Sequence, residues 1–353
     1  MPPGTKSVTH SSAAPDDIQD AARTLCTEPV RAISEIRRGG NSRIFRVETP
    51  AARYALKKYP AADDRNRLEA EVNALRFMER RGIGRTPKVV AVAPRQRFAL
   101  LTWIDGEPVD TVTDADVAEF AAFQIALDHA LDDQARAEIG EAAEACLSGP
   151  RILAQIERRY ARLAAVKHDV PEFVPFFDDV LVPSLRRFQA SAAKSYRQLG
   201  LDLGKDLAPQ FRTLIPSDMG AHNSLRAPDG KLCFLDFEYF GWDDPVTSIA
   251  NFVMHPGMQL SERQKAAFRR DMLGHFTGHA EAHRLPALMP LYGLRWCAII
   301  LGELLPERWK HRLESNAATM DSWDRVRREQ IGKARTLMAE VEAWSQGYSR
   351  SDR

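Results

Sequence analysis

Apolar and polar positions alternate through Tyr54-Ala55-Leu56-Lys57-Lys58-Tyr59, the two-residue period of a strand whose faces meet different surroundings. A strand-like pattern also runs from about residue 30 to 47. It is broken by Arg38-Gly39-Gly40-Asn41-Ser42, where a Gly pair between β-type segments signals a tight turn. Val89-Val90-Ala91-Val92 and Phe98-Ala99-Leu100-Leu101 read as two further strands around a turn at Pro94. Residues 65–81 have helical periodicity instead and stop at Gly82, a suitable helix-ending residue. Beyond Asp105-Gly106 the pattern changes. Helices are expected over 114–131, 152–166, 183–199, 262–275, 290–305 and about 317–344, with short strand signals only at 212–215 and 232–236. The chain therefore reads as α+β: a flexible tail over 1–28, a small antiparallel-sheet lobe over 29–105, and a large, mainly helical lobe over 106–353, hinged near 102–106.

Length agrees with this division, because 353 residues exceed what one ordinary core holds. The 49 Lys and Arg nearly balance the 48 Asp and Glu, so no global field favours nucleic acid or an anionic membrane as partner. Cys26, Cys146, Cys233 and Cys297 lie far apart with no Cys-x-x-Cys pair, which suits free thiols in a reducing compartment. No uninterrupted apolar run approaches the ~20 residues of a membrane helix, and no apolar segment follows a basic start. A cytoplasmic location is the expectation. Oligomeric state is left open.

Candidate chemistry concentrates in Ser217-Asp218-Met219-Gly220-Ala221-His222-Asn223 and Leu235-Asp236-Phe237-Glu238. An Asp, an Asn five residues on and a second Asp eighteen residues after the first make up the spacing used in phosphoryl transfer. Asn223 and Asp236 offer the oxygen ligands that Mg²⁺ takes, while Asp218 can accept a hydrogen bond from a substrate hydroxyl. Strand alternation selects Lys57 over Lys58 as a phosphate ligand, because Ala55 shares its face and leaves room for a flat base. A buried Lys needs a carboxylate. Glu71 lies on the Leu68–Leu75–Met78 stripe of the next helix, and Glu69 does not. Gly39, Gly40 and Ser42, one hairpin upstream, are positioned to cover phosphates with backbone N–H groups. An isolated Ala-x-Lys is most simply a surface lysine, and isolated Asx residues at strand ends are turns. The five together, in this order, fit neither reading.

These residues resemble the aminoglycoside phosphotransferase and choline kinase-like branch of the protein-kinase-like superfamily, over roughly residues 33–252. Asp218 and Asn223 keep the positions of that family's His-Gly-Asp-x-x-x-x-Asn loop, and Asp236 and Glu238 those of its Asp-x-Glu. Asp244-Pro245 matches its helix-starting Asp-Pro. The resemblance implies a bilobal kinase fold, ATP (or GTP) and Mg²⁺ as cofactors, and Trp103 and Ile104 in the segment that meets the adenine. The acceptor it implies is a small-molecule hydroxyl: a sugar, aminocyclitol or amino alcohol. Pro216 replaces the family's usual His, His222 stands where Gly is common before the Asn, and Ser248 replaces a second acid. A divergent subfamily is expected.

Glu238, Trp242 and Asp243 follow Asp236 closely and are expected to line the acceptor pocket, with Tyr292-Gly293-Leu294-Arg295-Trp296 closing its far side. His275, His279 and His283 recur every four residues, but Gly274 and Gly278 interrupt them, so a polar helix face is the default over a metal site. Arg158-Arg159, Arg186-Arg187 and the basic run 325–328 read as solvated helix faces. A protein kinase is a weaker alternative, because no Ala-Pro-Glu follows Asp236. The loss of His before Asp218 keeps a non-catalytic nucleotide-binding regulator as the competing reading.

Overall fold

The computed structural model describes residues 14–36, 42–60, 65–314 and 322–351; Gly39 and Gly40 lie outside them. Helix α1 (Asp16–Leu25) precedes strands β1 (Ala32–Ile36), β2 (Arg43–Glu48) and β3 (Arg53–Lys58). Helix α2 (Arg67–Arg80), β4 (Val89–Ala93) and β5 (Phe98–Thr102) complete the smaller lobe. Its antiparallel sheet has the order β1-β2-β3-β5-β4. Strand alternation gives this sheet two different faces. Phe45, Val47, Leu56, Phe98 and Leu100 turn to one side and are covered by Ile18, Ala21, Ala22 and Leu25 of α1. Ala55, Ala99 and Leu101 turn to the other and join the main core. The expectation of a flexible tail over 1–28 is corrected accordingly for 16–25. Two acids in the first turn and an apolar stripe make that segment a helix, and burial of the stripe under the sheet ties it down.

A short ribbon follows, in which β6 (Glu107–Pro108) pairs with a later strand. Then come α3 (Asp114–His129), α4 (Asp133–Glu138), α5 (Gly149–Val166) and α6 (Val182–Gln198). Short strands β7 (Thr213–Ile215), β8 (Ser224–Arg226), β9 (Leu232–Phe234) and β10 (Gly241–Asp243) sit between these helices and α7 (Pro245–Met254), α8 (Glu262–His275), α9 (Glu281–Leu301), α10 (Pro306–Glu314) and α11 (Trp323–Ser351). The strands form two small sheets, β6-β8-β9 and β7-β10.

Helix α9 is the centre of the larger lobe, packed by α5, α6, α7 and α11. Its start differs from the expected 290. Pro290 looks like a first-turn proline, yet it and Pro286 both lie inside the helix. An interior proline costs about 3 kcal/mol, and burial of nearly every residue from Leu285 to Leu301 offsets it. By length and composition Glu281–Leu304 could cross a membrane, but 83% of its apolar window is buried within this protein, as in a core helix.

Candidate active site

Lys57 leaves β3 on the face opposite α1 and is 3% exposed. Its Nζ donates to Glu71 Oε2 at 2.6 Å and to Asp236 Oδ1 at 2.9 Å, and lies 3.5 Å from Glu238 Oε2. Burial by itself disfavours the ammonium, but the three carboxylates outweigh it and raise the Lys57 pKa, so the residue stays charged. Glu71, 1% exposed on the inner stripe of α2, also accepts from the Tyr59 hydroxyl at 2.6 Å and from the Phe237 amide at 3.3 Å. Tyr59 was not anticipated. Its place two residues beyond Lys57, on the same strand face, was the available signal.

Asp218 and Asp236 do not follow adjacent strands. β7, before Asp218, pairs with β10, whereas β9, before Asp236, pairs with β8. Asn223 joins the two segments. Its carbonyl accepts from the Leu235 amide at 2.8 Å, which sets it beside Asp236. Its Nδ2 donates to the Asp218 carbonyl at 2.9 Å and to Asp218 Oδ2 at 3.3 Å. Ser217 and Asp236 both have left-handed backbone, with φ of 66° and 63°, a conformation that non-glycine residues hold only where the surroundings impose it. In place of the family's His, the loop is held by Ser217 Oγ donating to the Tyr239 carbonyl at 3.0 Å and Ser224 Oγ donating to the Gly220 carbonyl at 2.9 Å.

His222 Nε2 lies 3.2 Å from Asp218 Oδ1, and its ring stacks on His255, which in turn meets Trp296 edge-on. A Cβ on Gly220 would come within 2.9 Å of the His222 ring, so the glycine makes room for it. Burial acts to raise the Asp218 pKa, but the His222 hydrogen bond and charge outweigh it and hold the carboxyl below its ordinary value. The same contact outweighs burial on His222 and raises its pKa. Asp218, His222 and His255 present three ligand-type atoms within 4.8 Å of one another.

Several expected roles are redistributed. Ser42 Oγ donates to Glu238 Oε2 at 2.8 Å, so both stand beside Lys57, and Glu238 is a buried carboxylate of that cluster rather than acceptor-pocket lining. Trp242 and Asp243 are buried structural residues. The indole lies under Arg136, and Asp243 Oδ1 accepts from the Cys146 and Asp244 amides at 2.8 and 2.7 Å. Burial pushes the Asp243 pKa up to about 7. Trp103 and Ile104 follow β5 directly, with the Trp103 indole N–H donating to Asp105 at 3.1 Å. His275 ends α8 on Asp128, while His279 stacks on Phe211 before α9 begins, so the histidine series shares no face.

A cavity of about 470 Å³ opens at Asp218 and His222 and is lined by Tyr239, Arg295 and Trp296, and by Arg158 and Arg159 among others. Arg159, at 18% side-chain exposure, is therefore not a solvated helix face, whereas Arg158 stays exposed at 58%. Tyr292, expected with Arg295 and Trp296, is core instead, its hydroxyl 2.7 Å from Thr247 Oγ1.

The profile of the phosphotransferase enzyme family matches residues 32–285. The chain belongs to that family. No curated protein sequence matches it. Among solved structures it is similar to a spectinomycin phosphotransferase in complex with ADP and spectinomycin, at 12% identity and TM-score 0.60, over 90% of this chain and 98% of that one. It is also similar to a choline kinase from Streptococcus pneumoniae, at 15% identity and TM-score 0.54, over 92% and 98%. The gentamicin complex of another aminoglycoside phosphotransferase aligns at 14% identity and TM-score 0.58, over 93% and 97%. The fold of this family member is thus the bilobal protein-kinase-like fold, with a small antiparallel sheet and a large helical lobe.

Proposed function

We propose that this phosphotransferase-family protein is a kinase that transfers the terminal phosphoryl group of ATP (or GTP) to a hydroxyl of a small molecule. The observation that carries this reading is the Lys57 ammonium, buried between Glu71 and Asp236, with Asp218 tied to the same centre through Asn223. Lys57, held by Glu71, binds the nucleotide phosphates with its remaining donor capacity. The donor set fits Mg²⁺, since Asp236 and Asn223 supply hard oxygen ligands and the Asn223 amide nitrogen is already committed to Asp218. The ion, when bound, neutralises charge on the phosphates.

Asp218 does not share the Lys57 contact, and it lines the cavity where an acceptor fits. Kept ionised by His222 and Asn223, it accepts the hydrogen bond of the acceptor hydroxyl, aligns the oxygen for in-line attack and takes its proton as the P–O bond forms. Trp103 and Ile104, on the segment linking the lobes, are placed to meet the base. Ser42, hydrogen-bonded to Glu238 beside Lys57, serves on the phosphate side in this reading, and the four free cysteines suit a reducing cytoplasm.

The test is ADP release by purified protein across a metabolite panel, with and without Mg²⁺. Asp218→Ala should lower kcat by roughly 10³-fold or more while nucleotide affinity holds. Turnover close to wild type in that variant removes Asp218 from the mechanism.

A further inference from the structure

Among the described residues, the cavity beside Asp218 is lined by six arginines (Arg65, Arg158, Arg159, Arg162, Arg295 and Arg308) and by two carboxylates, Glu144 and Asp218. Four of the guanidinium groups converge on Glu144. Arg65 Nη2 reaches its Oε1 at 2.8 Å, Arg158 Nη2 the same oxygen at 3.1 Å and Arg295 Nη2 its Oε2 at 3.5 Å, while Arg159 also binds Oε2. Arg65 aside, Arg158, Arg159 and Arg295 share this one carboxylate, which compensates one cation, so the wall keeps a surplus of positive charge. Arg162 pairs with Glu307 at 2.5 Å at the rim. Arg295 and Arg159 are mostly buried, at 10% and 18% side-chain exposure, and are braced from behind by the Gln155 side-chain and backbone oxygens. Holding like charges in a concave, partly dry wall is unfavourable unless an anion completes it.

From this we infer that the acceptor carries its own anionic group, a phosphate or a carboxylate, in addition to the hydroxyl that is phosphorylated. The inference rests on the kinase reading of Asp218 and narrows its acceptor. Arginine forks match the paired oxygens of phosphate and carboxylate. Tyr239 and Trp296 also line this cavity. A polyamine aminocyclitol or a quaternary amino alcohol meets a net positive wall here, and both acids that could attract it are engaged, Glu144 with arginines and Asp218 with His222 and Asn223. The reaction then makes a product with two anionic groups. Oxygen of the hydroxyl bonds to the γ-phosphorus, the β–γ bridge breaks towards ADP, and the hydroxyl proton passes to Asp218.

Calorimetric binding and ADP release should be measured with the full chain on three sets of probes: glucose 6-phosphate, glycerol 3-phosphate and glucuronate; glucose and glycerol; kanamycin and choline. The expected result is binding and turnover with members of the first set alone, whose phosphate and carboxylate members separate the two anion sources. Arg158→Glu and Arg308→Glu, both at exposed positions, should weaken that binding about 10- to 100-fold without moving the thermal midpoint. Anion binding lost in these variants, with no turnover of any probe, supports the anion site and sinks the kinase reading. Turnover of kanamycin or choline instead overturns the inference and leaves the kinase reading standing. Failure of the anionic probes to bind, indifference to both variants, or competition of those probes with ADP for one site also overturns it.

Discussion

Replacing Lys57 by Met keeps the length of the side chain and removes the ammonium that lies within 3.5 Å of Glu71, Asp236 and Glu238. At an effective dielectric near 20, unit charges about 3 Å apart attract by roughly 5–6 kcal/mol. Desolvating each ion consumes several kcal/mol of that, so the intact cluster adds little net stability. Its disruption is another matter, because Glu71 and Glu238 are 1% and 2% exposed and would face each other and Asp236 without the central cation, with Arg67 reaching Glu238 from 3.7 Å. The expected loss is about 3–5 kcal/mol, read as a lower midpoint in urea with an unchanged slope. Adding Glu71→Gln removes one of the stranded charges, and the double variant should recover more than ~1 kcal/mol of that loss. Activity should not recover, since on the role proposed for Lys57 the loss of its ammonium costs on the order of 10²–10³ in kcat/KM in both variants. Coincident midpoints for wild type, single and double variants would refute the reasoning, because they require the three carboxylates to be indifferent to the cation between them.

Other outcomes follow from the same physics. Arg284 and Asp244 form a pair at 3% and 2% side-chain exposure, in which Asp244 also caps α7 by accepting from the Val246 amide at 2.9 Å, so Arg284→Ala should cost about 3–5 kcal/mol in denaturant titration. A Cβ on Gly241 would sit 2.5–2.6 Å from backbone atoms of residues 140–142, so Gly241→Ala should lose roughly 1–3 kcal/mol by pushing β10 off that segment, seen as a lower thermal midpoint. Burial first, and the His222 charge second, depress the His255 pKa from 6.5 to about 4. The folded state therefore binds fewer protons than the unfolded one between those values, and the contribution of His255, full above pH 6.5, fades as pH falls to 4. It amounts to at most about 3 kcal/mol. His255→Asn should flatten the stability profile in that window, and an unchanged profile would show that burial does not act on His255 as described.

Much of the catalytic arrangement was legible in local patterns. The two-residue period of β3 sends Lys57 to one face and Lys58 to the other. The 3.6-residue period of α2 puts Glu71 on its inner stripe, where its side chain is buried. In both cases the sequence alone is sufficient, because backbone geometry ties side-chain direction to position within a few residues. Tertiary packing decided the rest. It docked α1 on the sheet, ran α9 back through two prolines, joined Asp218 to Asp236 through Asn223 although their strands lie in different sheets, and moved Glu238 from the expected acceptor pocket to the Lys57 cluster. It also gathered Arg65, Arg158, Arg159 and Arg295 on one carboxylate from segments more than 200 residues apart at the extremes. Their electrostatic meaning depends on how many cations share Glu144 and how little water reaches them, and both are properties of distance in space, which no periodicity along the chain encodes.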